Sequence, residues 1–209
     1  MNRQSAVTHL SNRDLLAVLV GENQADCLLM ETEGSLADLF PPNPATVLIA
    51  QDAAMDRSWA SPRYIMAVAR EITLRSLVED MSRHGESLSS PQRVRDFLRL
   101  TLRDRPYEVF MVLFLDHHHN LIAAEEMFRG TLTQTSVYPR EVVKRALEHN
   151  ASGAIICHNH PSCVAEASLA DRWLTDQIKA SLALVDVKLI DHFIVAGNNT
   201  VSFAERDWL

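Results

Sequence analysis

The sequence has few of the features that build disulfide frameworks or membrane spans. Its 209 residues contain only three cysteines, Cys27, Cys157 and Cys163, and an odd number without paired spacing predicts reduced thiols. No apolar run reaches the roughly 18 residues that a bilayer span requires, and the segment after Met1 is polar instead of an apolar signal core. We therefore expect a cytoplasmic protein with no membrane partner.

Basic charge is also scarce. The chain has 20 Lys and Arg against 27 Asp and Glu, a net charge of -7 at pH 7. An acidic surface gives a polyanion no general attraction, so nucleic acid would bind only at a local basic patch. Apolar residues make up 47% of the chain, which is enough for the buried core of one moderate domain or two small ones.

A small polar segment, His84 to Pro91, separates two parts of different character. The part before it, residues 1–85, is typical of several short helices: one is closed by Gly21, and a longer one follows Ser61-Pro62. The part after it, residues 89–209, alternates helix-like and strand-like segments. We predict a small all-α domain followed by a second, larger domain.

The second part predicts an α/β (α+β) fold with a mixed β-sheet flanked by helices. Its short, uniformly apolar run Gly153 to Cys157 is typical of a central strand that is buried on both faces. The other predicted elements are helices from Pro91 to about Leu102, from Pro139 to about Asn150 and from about Ser168 to Ala183, with strands at Glu108–Leu115, Leu121–Phe128, Val187–Val195 and Thr200–Phe203.

Two histidines directly follow the buried strand. In extended chain, residues two apart point to the same side, so His158 and His160 can face one point. Ser168 and Asp171 share one face of a helix start, and the Pro161-Ser162 turn can return that helix towards the histidines. Two imidazoles and a carboxylate, with the fourth position left to water, match a catalytic zinc site. We predict one Zn²⁺ bound by His158, His160 and Asp171.

Hydrolysis at such a zinc also requires a general base. Glu125 and Glu126 lie on a predicted strand, where neighbours face opposite sides, so only one of them can face the metal. The apolar pattern around them leaves both open.

Other interpretations compete for some of these residues. Ser168-x-x-Asp171 also matches a capping box, in which the two side chains only satisfy helix amides. His117-His118-His119 looks like a metal tract, but it occupies a predicted hairpin tip, where a solvated loop is favoured. Asp191-His192 lies within an apolar strand. Either one of these side chains contacts the zinc ligands from behind, or His192 is a hydrogen-bonded histidine of the core.

The cysteines favour neither of two other reactions. Cys157 should face away from His158 as a buried apolar residue. No Cys-x-x-Cys follows the histidines, which excludes a zinc deaminase. Cys163 lies in the right segment for a Cys-His hydrolase or a fourth metal contact but has no evident orienting partner.

These motifs resemble those of known families. His158-x-His160-Pro161 followed by Ser168-x-x-Asp171 resembles the JAMM motif of MPN-domain metalloproteases. The wider pattern resembles the bacterial RadC family over nearly the whole chain, in Ile122-Ala123-Ala124-Glu125, Phe128-x-Gly130-Thr131, Pro139-Arg140-Glu141, His158-Asn159-His160-Pro161-Ser162 and Asp191-His192.

The resemblance implies a layered MPN/JAMM fold, similar to that of cytidine deaminases, over residues 89–209. It implies that His158, His160 and Asp171 hold the zinc, that Glu125 is the base, and that Ser168 donates a hydrogen bond to the oxyanion. The implied activity is that of a zinc-dependent metallopeptidase or isopeptidase acting on a peptide or protein. The alternative is a non-catalytic interaction module on the same fold, associated with DNA repair or DNA-bound partners.

Two departures from the RadC pattern affect these expectations. RadC-like sequences have a helix-hairpin-helix with a Gly-x-Gly hairpin near the N-terminus, but the matching residues 51–60 contain no glycine. We therefore expect residues 1–85 to hold a degenerate helix-hairpin-helix that does not bind DNA. Cys163 stands where the usual Pro-Ser-Gly turn has its glycine.

Overall fold

The computed structural model describes two compact units. The described residues are 10–34, 36, 39, 62–82, 91–130 and 137–209. The units are Met1–Thr73 and Leu74–Leu209. Residues 51–60, where the hairpin motif lacks its glycine, and residues 84–90, at the predicted domain boundary, lie outside the described part of the chain. The predicted domain ranges stay predictions.

The described part of the first unit begins with helices α1 (Asn12–Val20) and α2 (Glu22–Glu31). Gly21 separates them with φ 87°, a conformation that side chains disfavour. The Arg13 guanidinium forms an ion pair with Asp26, 2.6 Å away, which links the two helices. The apolar core of this unit contains Leu16, Ala25, Leu28, Leu39 and Met66.

The second unit contains a mixed five-stranded sheet. Its strands are β1 (Val109–Leu115), β2 (Leu121–Arg129), β3 (Gly153–Asn159), β4 (Lys188–Ala196) and β5 (Asn199–Ser202). They lie in the order β2-β1-β3-β4-β5. Strands β3 and β4 are parallel, and every other neighbouring pair is antiparallel.

Helices cover both faces of this sheet. They are α3 (Pro62–Ser82), which begins in the first unit and ends in the second, α4 (Pro91–Leu102), α5 (Pro139–Glu148) and α6 (Leu169–Ala183). Met81 of α3 and the buried residues of α4 pack on one face, against Met111, Ile155 and Cys157. Residues of α5 and α6 pack on the other face, against Phe110 and Ile156. This second face carries the candidate site.

The architecture confirms the predicted fold class, a mixed sheet with flanking helices that follows N-terminal helices. The strands and helices begin and end close to the predicted positions because caps, prolines and apolar runs mark them locally. In the described part of the chain, no helix has both the length and the apolarity needed to cross a membrane.

We predict that packing of α6 dominates the stability of the site-bearing face. Leu182 is fully buried and Leu184, two residues later, is 86% exposed. Leu182→Ala should lower the free energy of unfolding by about 2–5 kcal/mol, because it removes a buried side chain and leaves a cavity. Leu184→Ala is the matched control and should change it by less than about 0.5 kcal/mol. Urea unfolding measures both; equal effects would contradict this packing.

Candidate metal centre

Strand β3 delivers His158 to the candidate site. The strand is buried along its whole length and pairs with β1 and β4, so its side chains have fixed directions. His158 lies on the same face as Ile156, next to α5 and α6. Cys157 lies on the opposite face, as predicted, with its thiol donating to the Met111 carbonyl. Burial raises the pKa of the Cys157 thiol above its ordinary value.

The first turn of α6 delivers Asp171. Ser168 is the N-cap residue, and its hydroxyl accepts a hydrogen bond from the Asp171 amide at 3.1 Å. Oδ2 of Asp171 accepts in return from the Ser168 amide at 2.8 Å and from the Ser168 hydroxyl at 2.7 Å. Oδ1 lies 3.3 Å from Nε2 of His158. Asp171 is therefore a capping residue and a candidate ligand at once, so the two competing interpretations are compatible.

Three ligand atoms converge at this point. Nε2 of His158 lies 2.9 Å from Nε2 of His160, and the latter lies 3.8 Å from Oδ2 of Asp171. Ligand atoms of a tetrahedral zinc with bonds of about 2 Å lie roughly 3.3 Å apart, which is within the observed spread. His158 is 2% exposed, whereas His160 is 20% and Asp171 14% exposed. The site therefore opens to solvent on one side, where a fourth ligand can enter.

Both imidazoles are held in a form that can bind a cation. Nδ1 of His160 lies 2.8 Å from the Val164 carbonyl oxygen, which can only accept, so the proton is on Nδ1 and Nε2 has a free lone pair. Burial lowers the pKa of His158 to about 4, and the pKa of fully buried His192 is also lowered by burial. Imidazole nitrogens that converge with a carboxylate fit a zinc ion.

His192 lies directly behind His158. The sequence left two roles open for it, a partner of a zinc ligand or a hydrogen-bonded core histidine. It is fully buried, and its Nε2 lies 2.9 Å from Nδ1 of His158. Asp191, its neighbour, accepts from the Ser202 hydroxyl and from the Ala204 amide instead. His192 is thus both a core histidine and the partner of a candidate ligand.

Strand register distinguishes Glu125 from Glu126. Glu125 lies opposite Val112, which packs on the same face as His158. Glu126 lies opposite Met111, on the other face, and forms an ion pair with Arg105. Only Glu125 is therefore on the face that carries the candidate ligands.

The Glu125 carboxylate nevertheless has partners away from the histidine pair. It accepts from Nε of Arg145 at 2.7 Å and lies 2.7 Å from Nε2 of His149. The Arg145 guanidinium, with a smaller effect of His149, lowers the pKa of Glu125 to about 2. Strand β1 separates β2 from β3, and Glu125 is level with Ile156, two residues before His158. These offsets set the Glu125 and His158 backbones about 12 Å apart. The structure does not bring Glu125 into contact with the three candidate ligands.

Glu108 is a carboxylate that sequence reasoning missed. Glu108 directly precedes β1, and Tyr107 and Val109 on either side of it pack on the α4 face of the sheet. The alternation of β1, continued by one residue, would place Glu108 on the opposite face, which carries His158. Phe110 lies opposite His158 in the antiparallel β1–β3 pairing, and the same register, extended two residues beyond that pair, would place Glu108 level with His160. Its signal in the sequence was weak, since it is a single acidic residue before an apolar strand.

The histidine tract is not part of a metal site in the structure. His117 to His119 form the turn between β1 and β2, where Asp116 accepts from the His118 and Asn120 amides. Within the described ranges, His158, His160 and Asp171 are the one group of three or more His, Cys, Asp or Glu side chains placed to share an ion. The loop interpretation of the tract agrees with this placement.

Comparison with known proteins places this fold and site in a family. The family model of the RadC-like JAB domain matches residues 88–208. The chain belongs to the RadC family. A UPF0758 protein of Chromobacterium violaceum is 47% identical over 213 residues, which cover 99% of this chain and 92% of the relative. A UPF0758 protein of Nitrosomonas eutropha is 47% identical, with an alignment that covers 97% of this chain and 91% of the relative. A UPF0758 protein of Dechloromonas aromatica is 46% identical, and its alignment covers 96% of this chain and 90% of the relative.

RadC membership confirms the resemblance inferred from the motifs, and the structure shows what Cys163 changes in the RadC turn. The Cys163 amide donates to the His160 carbonyl at 3.0 Å and closes the turn. Cys163 has φ 59°, in the left-handed region that favours glycine. Its thiol is exposed beside the Pro161 carbonyl and is not among the three converging ligand residues.

We predict that Cys163→Gly stabilises the protein. Left-handed backbone costs a residue with a side chain about 1–2 kcal/mol, and glycine's larger unfolded-state entropy offsets part of the gain. The free energy of unfolding should rise by up to about 1 kcal/mol, with zinc affinity unchanged. Cys163→Ala removes the thiol but keeps the strained backbone, so it should give no stabilisation. A loss of zinc in both variants would instead make the thiol a ligand.

Proposed function

We propose that this RadC-family chain is a zinc-dependent metallopeptidase or isopeptidase that acts on a peptide or protein substrate. The observation that carries the proposal is the convergence of His158, His160 and Asp171, whose ligand atoms lie within 4.8 Å of one another at the end of a buried strand. The match to a JAB domain supports it. One bound Zn²⁺ would lower the pKa of a coordinated water to about 7 and polarise the scissile carbonyl.

The remaining chemistry needs a carboxylate that takes a proton from the attacking water and gives it to the leaving amine. Glu125 was the prediction from resemblance, but its carboxylate is paired with Arg145 and His149. We propose Glu108 for this role, because it directly precedes β1, and the register of β1 extended to it leads to the ligand face, level with His160. Glu125 then has a structural role, in which it joins β2 to α5.

Ser168 is proposed to stabilise the oxyanion of the tetrahedral intermediate. Its single hydroxyl proton is donated to Oδ2 of Asp171 in this structure, and binding of that carboxylate to a metal would release the proton for a substrate oxygen. The helix N-terminus at this point also favours negative charge. The residue is exposed, so a substrate carbonyl can approach it from the open side of the site.

Zinc content tests the metal centre. Purified wild-type protein should hold about one zinc per chain, and Asp171→Ala should lose it. Ser168→Ala is the control, because it removes half of the capping box but no candidate ligand. It should keep the zinc while its helix start is weakened by about 1 kcal/mol. A wild-type chain without zinc after reconstitution would overturn the metalloenzyme proposal and favour a non-catalytic interaction module.

The two carboxylates are separated by matched substitutions. In zinc-loaded protein, Glu108→Gln should lower peptide cleavage by about 10²–10⁴-fold, because it removes the base. Glu125→Gln should keep most of the activity, with lower thermal stability from the lost ion pair. Both should retain zinc. Cleavage is followed by mass spectrometry of a peptide library against a zinc-free control. Full activity in Glu108→Gln with loss in Glu125→Gln would restore the original assignment.

A further inference from the structure

A chain of hydrogen bonds runs from the backbone of α6 to the candidate ligand His158. The Thr175 hydroxyl lies 2.6 Å from the Asp171 carbonyl oxygen and 2.7 Å from Nδ1 of His192. Nε2 of His192 lies 2.9 Å from Nδ1 of His158. Thr175 and His192 are buried, at 1% and 0% exposure, so solvent does not compete for these bonds.

The direction of every bond in this chain follows from its first member. A carbonyl oxygen can only accept, so the single Thr175 proton goes to the Asp171 carbonyl. Nδ1 of His192 must then donate to the Thr175 oxygen. A neutral His192 that donates from Nδ1 accepts at Nε2, so Nδ1 of His158 is the donor between the two rings. Nε2 of His158 therefore has a free lone pair.

That lone pair is the one directed at the candidate zinc position. Nε2 of His158 is the atom that lies 2.9 Å from Nε2 of His160 and 3.3 Å from Oδ1 of Asp171. The opposite tautomer would place a proton there and block a metal–nitrogen bond. His160 obtains the same tautomer independently, from the Val164 carbonyl.

We infer that Thr175 and His192 are positioning residues that hold His158 in its metal-binding tautomer. We call the series of hydrogen bonds from the Asp171 carbonyl through Thr175 and His192 to His158 the relay. The relay deepens the proposed function and rests on it. The relay joins β3 and α6, the two elements that carry candidate ligands. Asp171 contributes to it twice, since its carboxylate faces His158 and its backbone carbonyl accepts from Thr175. Groups that orient ligand histidines commonly affect metal affinity by about 10–100-fold.

Long-range ¹H–¹⁵N NMR spectra of histidine rings test the relay directly in zinc-free protein at about pH 8. The wild-type spectrum should show His158 and His192 both protonated at Nδ1. Thr175→Val is nearly isosteric but has no hydroxyl, so Nδ1 of His192 loses its hydrogen-bond acceptor. His192 can then carry its proton on Nε2 and donate it to Nδ1 of His158, so His158 should show the Nε2-protonated form. Thr175→Ser keeps the hydroxyl and should restore the wild-type pattern.

Zinc affinity, measured by competition with a chelator, gives the second readout. Thr175→Val should raise the zinc dissociation constant by about 10–100-fold, and Thr175→Ser should stay within about threefold of wild type. Wild-type His158 protonated at Nε2 would overturn the relay whether or not Thr175→Val folds. So would unchanged tautomers and unchanged affinity in Thr175→Val. A wild-type chain with the expected tautomers but no zinc affinity would sink the proposed function and leave the relay standing.

Discussion

The two oxygens of the Asp171 carboxylate hold the site together. Oδ2 accepts from the amide and hydroxyl of Ser168 and so fixes the start of α6, while Oδ1 faces His158. A cap restricts the side chain to one conformation, because the box requires hydrogen bonds in both directions. The Asp171 side chain, a candidate ligand, is therefore already oriented in the folded protein, so the entropy of ordering it is lost on folding and would not be lost on binding an ion.

The location of the histidines follows from the sheet. Strand β3 lies between an antiparallel and a parallel neighbour, so its last residues cannot shift without breaking pairing on both sides. His158 emerges from it almost fully buried, and His160 follows where its amide still bonds the Val195 carbonyl. A rigid strand end and a capped helix start thus meet at one point. This suits a metal site, whose ligand atoms must be positioned to within about 0.5 Å.

Local signals account for what could be predicted from the sequence. Gly21 ends α1 and Ser168 begins α6, because caps involve only neighbouring residues. Register was beyond reach for the opposite reason. The tie between Glu125 and Glu126 is resolved by the pairing of β2 with β1, and the importance of Glu108 depends on the pairing of β1 with β3. The β1–β3 pairing joins residues far apart in sequence, and the β1–β2 hairpin has two irregularities in its register, so the apolar pattern of a strand does not reveal which residues face each other.

The polar groups behind the site also bear on the choice between an enzyme and a scaffold. His192 and Thr175 are buried, and the His192 ring packs against Phe110 and Phe203. A polar group in such surroundings is costly unless all its hydrogen bonds are made. Replacing a buried ion pair by apolar residues of similar volume often leaves a protein equally stable or more stable. By analogy, apolar residues at these two positions would make a scaffold at least as stable. Here each of these two buried groups has its partners, and the series of hydrogen bonds ends at Nδ1 of His158, whose other ring nitrogen faces the other two candidate ligands. This arrangement is the one that the proposed metal site requires, and it gives no advantage to a module that only presents a surface.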